Sequence, residues 1–211
     1  GTIAGLGNEA VTISNATITA SSLNTLNAHT TGVVNAVSVT TLTGTTAEIN
    51  TVYDANTAGT IAGLGNEAVT ITDTTIDAAV LITLDNYTTG IVKAESIETI
   101  TGTIAEIVQA YKSNGISGLG DEAIILTDNH TLSDLKIINN VTTGIIALND
   151  YSIALSGSSS DLNAALDGNF ASSYTGEILI TDDNFTINQF NLISNATTGN
   201  VTSLNSTIPV D

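Results

Sequence analysis

The chain has 211 residues and a formal net charge of −18, because 21 acidic side chains stand against three lysines and no arginine. Nucleic acids are bound by neutralising their phosphates with basic side chains, so this balance excludes nucleic acid as a partner. Cysteine is absent, which excludes disulfides, thiolate metal sites and a cysteine nucleophile. No apolar run approaches the about 18 residues that span a bilayer, so we expect no insertion into a membrane.

An internal repeat organises the whole sequence. Residues 1–13 (GTIAGLGNEAVTI) recur letter for letter at residues 59–71, and a looser copy begins at Gly115. The tripeptide Thr-Thr-Gly ends at Gly32, Gly90, Gly144 and Gly199. The long repeats fall at about 1–58, 59–114, 115–169 and 170–211. We predict one repeat domain over residues 1–211 and expect it to be part of a longer array.

Each long repeat divides again into units of about 28 residues. A hydroxyl residue that directly follows an apolar residue marks each unit. These hydroxyl residues are Ser14, Thr43, Thr72, Thr101, Thr127, Ser156 and Thr181. The next residue alternates between Asn or Asp and Gly, so the units are of two kinds, an Asp type and a Gly type.

In the Asp-type units, the apolar spacing predicts a short helix that begins after an N-cap residue. The predicted caps are Thr19, Asp77, Ser133 and Asn188. The glycine of each Thr-Thr-Gly stands where a helix needs a left-handed residue at its end, so we predict that it stops the helix. A short β-like stretch follows, such as Val33-Val34 or Ile91-Val92.

In the Gly-type units, the helix is expected to begin with a capping box, in which a hydroxyl accepts from a backbone N–H and an acidic side chain reaches back. The pairs are Thr45 with Glu48, Thr103 with Glu106 and, in a weaker form, Ser158 with Asp161. Apolar residues follow at helical spacing, for example Ile49, Val52 and Tyr53. The pattern therefore predicts a helix in every unit.

One unit thus consists of strand, turn, strand, short helix and glycine stop. A unit of this size cannot bury its own apolar face, whereas stacked copies share one core. We predict an α/β repeat solenoid of about seven coils, with about 28 residues per coil and parallel, in-register ladders. The alternative is a right-handed β-solenoid in which the capped segments are only helical turns.

The strand hydroxyls are expected to align between coils. A step of 29 residues places Thr41 beside Thr70 and Thr43 beside Thr72, in two columns that begin at Thr12 and Ser14. Threonine favours strands and pairs well across a ladder, so these columns are interpreted as strand surface.

Carboxylates are the main candidates for a binding site. One column holds Glu9, Glu67, Glu122 and Glu177, and a second holds Asp73, Asp128 and Asp182. Calcium prefers several oxygen ligands, and an acid of each column flanks the same strand. The candidate calcium ligands are Glu67, Asp73, Glu122, Asp128, Asp182 and Asp183. The alternative is a solvated acidic face that keeps a long rod in solution.

No residue pattern indicates catalysis. A catalytic cleft should interrupt the repeat, but the acids recur as columns, so we predict no enzyme and no cofactor; a polysaccharide-acting enzyme is the remote alternative. The GLGNE and GLGDE segments, from Gly5, Gly63 and Gly118, lack the lysine of a phosphate loop and are interpreted as tight turns. The two histidines, His29 and His130, do not recur as a column.

Three motifs carry a resemblance to a known class of sequences. They are T-x-T-G-T-x-A-E-I at 41–49 and 99–107, G-L-G-N-E-A-V-T-I at 5–13 and 63–71, and L-x-x-x-T-T-G at 26–32 and 84–90. Units of this form are similar to the tandem arrays of very large secreted or cell-surface proteins of marine cyanobacteria and other aquatic bacteria. The resemblance implies an extracellular or cell-surface location and roles in adhesion, surface layers, filaments or motility.

We therefore expect a non-enzymatic structural repeat module that serves as a spacer, fibre, sheath or surface-layer element. Its expected partners are neighbouring repeats, or further copies associated end to end or side by side. The alternative is an adhesin-type module that binds calcium or surface glycans.

Overall fold

A computed structural model describes residues 7–204 and has an α/β fold. The described residues form seven helices and fifteen short strands. Helices α1 to α7 span Ala20–His29, Thr46–Thr57, Ala78–Tyr87, Ile104–Lys112, Leu132–Asn139, Ser159–Leu166 and Ile187–Ala196. None of these helices is long and apolar enough to cross a membrane. The first GLGNE segment, from Gly5, lies partly outside the described residues.

The strands are short, and all of their pairings within residues 7–204 are parallel. Strands β1 to β15 are Val11–Thr12, Thr17–Thr19, Val34–Asn35, Thr41–Gly44, Ile61–Ala62, Ala68–Ile71, Thr75–Asp77, Val92–Lys93, Thr99–Gly102, Ile116–Ser117, Ala123–Leu126, Ile146–Ala147, Leu155–Gly157, Ile178–Ile180 and Val201–Ser203. Parallel partners need a crossover connection, and the helices supply it.

The chain forms two compact units. One contains the residues up to Ile97 together with Lys112–Leu119; the other contains Glu98–Tyr111 and the residues from Gly120 onward. In the first unit, β1, β3 and β5 form one sheet, and β2, β4, β6, β8 and β10 form a second in that order. In the second unit, β11 lies between β9 and β12, and β14 lies between β13 and β15. The single repeat domain stays a prediction.

The apolar residues that precede the marker hydroxyls lie in the core, as predicted. All seven are buried, with exposed fractions of 6% or less. They are Ile13, Leu42, Ile71, Ile100, Leu126, Leu155 and Ile180. Within the five-stranded sheet, Leu42, Val69 and Val92 are direct neighbours and are fully buried, so the ladder itself builds the core.

The register of the ladders differs from the predicted hydroxyl columns. Thr43 pairs with Thr70, and the last pair is Gly44 with Ile71, so Thr72 lies beyond the ladder. The predicted step of 29 residues between paired threonines is therefore wrong, because the observed step is 27 residues. A shift by two residues leaves every side chain on its own face of the sheet, so the hydrophobic pattern does not distinguish the two registers.

The capping boxes of α2 and α4 are confirmed. Glu48 N–H donates to Thr45 Oγ1 at 3.4 Å, and Thr45 N–H donates to Glu48 Oε2 at 3.0 Å. The corresponding pair of α4 is Thr103 and Glu106, with distances of 3.4 and 2.9 Å. At α6, Asp161 N–H donates to Ser158 Oγ at 3.1 Å.

Two of the four predicted N-caps of the Asp-type helices are confirmed. Thr19 and Asp77 cap α1 and α3 as predicted. The predicted caps Ser133 and Asn188 are wrong, because α5 and α7 begin two residues earlier. Their caps are Thr131 and Thr186, each in a full capping box with the residue three positions on, Asp134 and Gln189. A Thr-x-x-Asp or Thr-x-x-Gln pattern satisfies two backbone N–H groups instead of one and therefore determines the start.

The Thr-Thr-Gly glycines do not act as left-handed helix stops. Gly32, Gly90, Gly144 and Gly199 are not among the residues with positive φ. Instead, a Cβ at Gly90 would lie 2.3 Å from the carbonyl oxygen of Glu67, and the other three positions are equally close to a backbone oxygen. Helices α1, α3 and α7 end on extended threonines. The glycine is therefore required by the close approach of two backbones, not by its φ.

Candidate functional site

The glutamate of the second GLGNE segment is a buried structural residue. Glu67 is only 1% exposed, and its Oε1 accepts a hydrogen bond from the hydroxyl of Tyr53 in α2. Its Oε2 accepts from the backbone N–H of Gly65 at 2.8 Å and of Asn66 at 3.1 Å. The turn amides that would cradle a phosphate in a phosphate loop here bind the chain's own carboxylate.

The same arrangement recurs one long repeat later. Glu122 is 2% exposed, and its Oε2 accepts from the hydroxyl of Tyr111 at 2.7 Å and from Gly120 N–H at 2.8 Å. Burial, reinforced by the adjacent glutamate, raises the pKa of both Tyr53 and Tyr111. These phenols therefore stay protonated and act as hydrogen-bond donors.

The aspartates of the second column each bind the first helical N–H of an upstream helix. Asp73 Oδ2 accepts from Thr46 N–H of α2 at 2.7 Å. Asp128 Oδ1 accepts from Ile104 N–H of α4 at 3.0 Å. A negative charge at a helix N-terminus is favourable, because it faces unpaired N–H groups and the positive end of the helix dipole.

The third aspartate of this column makes the fullest contact. Asp182 accepts from Ser159 N–H at 2.7 Å through Oδ1 and from Ser159 Oγ at 2.8 Å through Oδ2. Asp183, the last calcium candidate, is exposed. Each of the three column aspartates thus joins the segment that follows a strand to the start of the preceding Gly-type helix.

A threonine clasp completes each junction. Thr88 Oγ1 donates to the Glu67 carbonyl oxygen at 2.6 Å and accepts from Gly90 N–H at 3.0 Å. Thr142 makes the same pair of bonds, with Glu122 O and Gly144 N–H, at 2.7 and 2.9 Å. Both threonines are buried, so the Thr-Thr-Gly motif and the glutamate column form one structural device.

The six candidate calcium ligands are therefore not gathered into one site. Within residues 7–204, no group of three or more His, Cys, Asp or Glu side chains is placed to hold a metal ion. Glu67, Glu122 and the three column aspartates bind hydroxyl or backbone groups of the chain itself. Calcium binding stays the alternative to a chain without a cofactor, and this geometry does not favour it.

Removing the Tyr53 hydroxyl should show how much a buried glutamate depends on it. Tyr53→Phe leaves one oxygen of Glu67 without its donor in a buried setting, and we expect a loss of about 1–3 kcal/mol in the free energy of unfolding. Tyr87→Phe is the matched control, because Tyr87 is half-buried and stacks on Tyr53 through its ring, at 4.8 Å between centroids. Denaturant unfolding of both variants measures the difference; equal losses would contradict a structural role for this hydrogen bond.

The structure also contains a buried histidine–tyrosine pair that the sequence did not predict. His130 is 3% exposed and Tyr174 is 1% exposed, and His130 Nε2 lies 2.9 Å from the Tyr174 hydroxyl. That hydroxyl donates to Ile153 O at 2.6 Å, so it accepts from Nε2–H, and His130 Nδ1 is left buried without a partner. Neither residue recurs at an equivalent position of other repeats, so the periodicity carried no signal for it.

The His130 pair should make stability depend on pH. Burial lowers the pKa of His130 below its ordinary value of 6.5, although Asp150, Asp134 and Asp128 act in the opposite direction. The unfolded chain therefore binds a proton that the folded chain does not, and stability falls as the pH drops through the unfolded value. Urea unfolding at about pH 8 and about pH 5 should show a larger loss for the wild type than for His130→Asn. An equal loss, or a smaller one in the wild type, would contradict this assignment.

Two of the open grooves in the second unit have volumes of about 410 Å³ or more. One of about 490 Å³ is lined by His130, Leu132, Ile153 and Leu155 among others and contains no carboxylate. The other, of about 410 Å³ between α6 and α7, has Asp167 as its one carboxylate. Neither of these two grooves offers the two opposed carboxylates that glycoside hydrolysis requires. A smaller groove of about 320 Å³ does contain two carboxylates, Asp128 and Asp134, but each already accepts from a backbone N–H at a helix start.

Comparison with protein-family models, with curated protein sequences and with solved structures found no significant match.

Proposed function

We propose that this chain is a non-enzymatic structural repeat module of an extracellular or cell-surface protein of bacteria, acting as a spacer, fibre, sheath or surface-layer element. One observation carries the proposal: two of the column glutamates and all three column aspartates are engaged in bonds that join one coil to the next. They are Glu67, Glu122, Asp73, Asp128 and Asp182. A residue such as Glu67 or Asp182, which its own chain already binds on several sides, is not free to bind a ligand.

The repeats are proposed to stack as the coils of an α/β solenoid. The parallel ladders support this, because inner strands of the two larger sheets pair with a strand on each side. These strands are β4, β6, β8 and β11. The aspartate caps support it as well, since Asp73 and Asp128 reach back to the helix of the preceding coil. In such a stack, one coil adds about 4.8 Å of length.

The charge fits a surface-exposed rod. A net charge of −18 keeps copies apart in solution and leaves ordered contact to the ends or to specific side surfaces. The proposed partners are therefore neighbouring repeats in the same array or further copies, end to end or side by side. The similarity to the arrays of aquatic bacteria supports the proposed location.

Calcium titration tests this function against an adhesin-type module. We expect no heat on titrating calcium into the chain by calorimetry, and the same melting temperature with calcium and with a chelator. The same experiment with acidic and neutral polysaccharides should also give no heat. Stoichiometric heat together with a raised melting temperature would overturn the structural proposal in favour of a binding module. If Asp183→Asn abolished that heat, Asp183, the exposed calcium candidate, would be a ligand.

A further inference from the structure

One sequence occurs twice in this chain in two different surroundings. Residues 7–13 and 65–71 are identical, yet Glu9 is exposed whereas Glu67 is only 1% exposed. Val11 is half-buried whereas Val69 is fully buried. Because the sequences are the same, the difference measures what the neighbouring coil covers.

The two copies are alike on their downstream side. Thr30 Oγ1 donates to the Glu9 carbonyl oxygen at 2.6 Å, as Thr88 Oγ1 does to that of Glu67. Strand β1 pairs with β3 through Val11 and Val34, as β6 pairs with β8 through Val69 and Val92. The clasp and the downstream ladder are therefore complete in both copies.

The upstream side differs, because only the second copy has a Gly-type coil against it. Ala68 N–H donates to Thr40 O at 2.9 Å, and Thr72 N–H donates to Gly44 O at 3.0 Å. The equivalent residues of the first copy are Ala10 and Ser14, and both are exposed. The Tyr53 hydroxyl, which donates a hydrogen bond to Glu67, also belongs to that Gly-type coil.

Two further residues contact the Gly-type coil in the second copy but are exposed in the first. Asp73 binds Thr46 N–H of α2, and its equivalent 58 residues upstream is Asn15, which is exposed. Tyr87 stacks on Tyr53 of α2, and its equivalent is His29, which is also exposed. We call Glu9, strand β1, Asn15 and His29 together the upstream face.

We propose that the upstream face is a docking surface for one coil of the Gly type, joined ahead of it in the same polypeptide. This inference rests on the proposed structural function. The register follows from β4 and β6: the T-x-T-G strand of the incoming coil pairs along residues 10–13, with its glycine beside Ile13. The tyrosine of its helix donates to Glu9 and stacks on His29, and its first helical N–H donates to the Asn15 side-chain oxygen.

The helix must carry a tyrosine eight residues after its N-cap, which selects a Gly-type coil like those of α2 and α4. The third Gly-type helix, α6, has Leu166 at this position and does not qualify. Tyr53 and Tyr111 hold that position in α2 and α4. In α1 and α3 the corresponding residues are Asn27 and Asp85, and in α7 it is Ser194. None of these three is a phenol, and Asp85 would face Glu9 with a like charge. Neither an Asp-type coil nor the α7 end of a second copy therefore satisfies the face.

The test extends the full chain by one coil. A copy of residues 30–58 is fused ahead of Gly1, so that the new junction repeats the one between Ala58 and Gly59. Amide hydrogen exchange at Ala10 and Ser14 should slow on the order of 100-fold relative to the unextended chain, because these amides then enter a ladder. Ala68 and Thr72 are internal references in the same measurement and should not change.

Two variants make the test specific. Tyr53→Phe in the fused copy alone should remove part of the new protection. Glu9→Gln should lower the melting temperature of the extended chain but leave the unextended chain unchanged. Fast exchange at Ala10 and Ser14 in the extended chain, or protection that neither variant alters, would overturn the inference.

Sedimentation of the unextended chain completes the test. We expect the unextended chain to sediment as a monomer in which the amides of Ala10 and Ser14 exchange fast. A dimer in which these amides are already protected would show that a second copy covers the face, and would overturn it. Failure of this docking leaves the calcium and polysaccharide titrations unaffected, so it is distinguishable from failure of the structural function.

Discussion

Replacing Ile100 by aspartate is expected to abolish the cooperative unfolding transition of the unit that contains it. Ile100 is fully buried in β9 and lies beside Ile124 of β11, which is also fully buried. An unpaired carboxylate at this point has neither water nor a hydrogen-bond partner, and its burial costs several kcal/mol. A domain is stable by only about 5–15 kcal/mol in total, so thermal melting followed by circular dichroism should lose its sharp transition.

Two milder substitutions calibrate this result. Ile100→Val keeps the position apolar and should cost about 1 kcal/mol. Thr72→Ser, at an exposed residue beyond the end of its ladder, should change stability by less than about 0.5 kcal/mol. If Ile100→Asp and Thr72→Ser melted alike, the division into inward and outward positions would be wrong.

Replacing Gly90 by alanine is expected to cost about 3 kcal/mol or more in the free energy of unfolding. The new Cβ would lie 2.3 Å from the carbonyl oxygen and 2.5 Å from the carbonyl carbon of Glu67. Both atoms belong to the backbone that the Thr88 clasp holds, so neither can move aside without breaking that clasp. Equilibrium unfolding in urea measures the loss.

Gly59 provides the matched control. Its φ is +79°, and a Cβ there would meet nothing within 4 Å, so Gly59→Ala meets only backbone strain of about 1–2 kcal/mol. Asparagine separates the two causes, because it tolerates a left-handed backbone but not a close approach. Gly59→Asn should therefore be mild and Gly90→Asn severe. If Gly90→Asn cost little stability, Gly90 would be the left-handed helix stop that the sequence predicted.

This pair of glycines shows where the sequence is sufficient and where it is not. The helices and the core column followed from apolar spacing and capping patterns, because both are properties of neighbouring residues. A recurring glycine, however, has the same letter whether it serves a positive φ or a close backbone approach. Only the position of the facing chain, here Glu67 against Gly90, separates the two.

The roles of the acids were also beyond the reach of local patterns. Glu67 accepts from Tyr53, fourteen residues upstream, and Asp73 accepts from Thr46, 27 residues upstream. A signal was nevertheless present, since a tyrosine follows the capping glutamate by five residues in both Gly-type units that hold a full capping box. His130 and Tyr174 gave no such signal, because neither recurs at the equivalent position of another repeat.

The acidic side chains that make up the net charge fall into bonded and exposed groups. Part of the acidic content joins repeats through helix caps and phenols, whereas residues such as Glu9 and Glu177 are exposed. The structural proposal therefore predicts that charge supports assembly within the array and solubility outside it. In the proposed stack, a column of like charges is tolerated because each buried member has its own hydrogen-bond donors.

Small-angle X-ray scattering of a chain lengthened by one long repeat tests stacking most directly. Inserting a second copy of residues 61–115 between Gly115 and Ile116 adds one helix of each type. The proposed solenoid predicts that the maximum dimension grows by about 10 Å, two coil spacings, while the cross-sectional radius stays constant. An increase in the cross-sectional radius without that gain in length would contradict the account, because it is the growth of a compact globule.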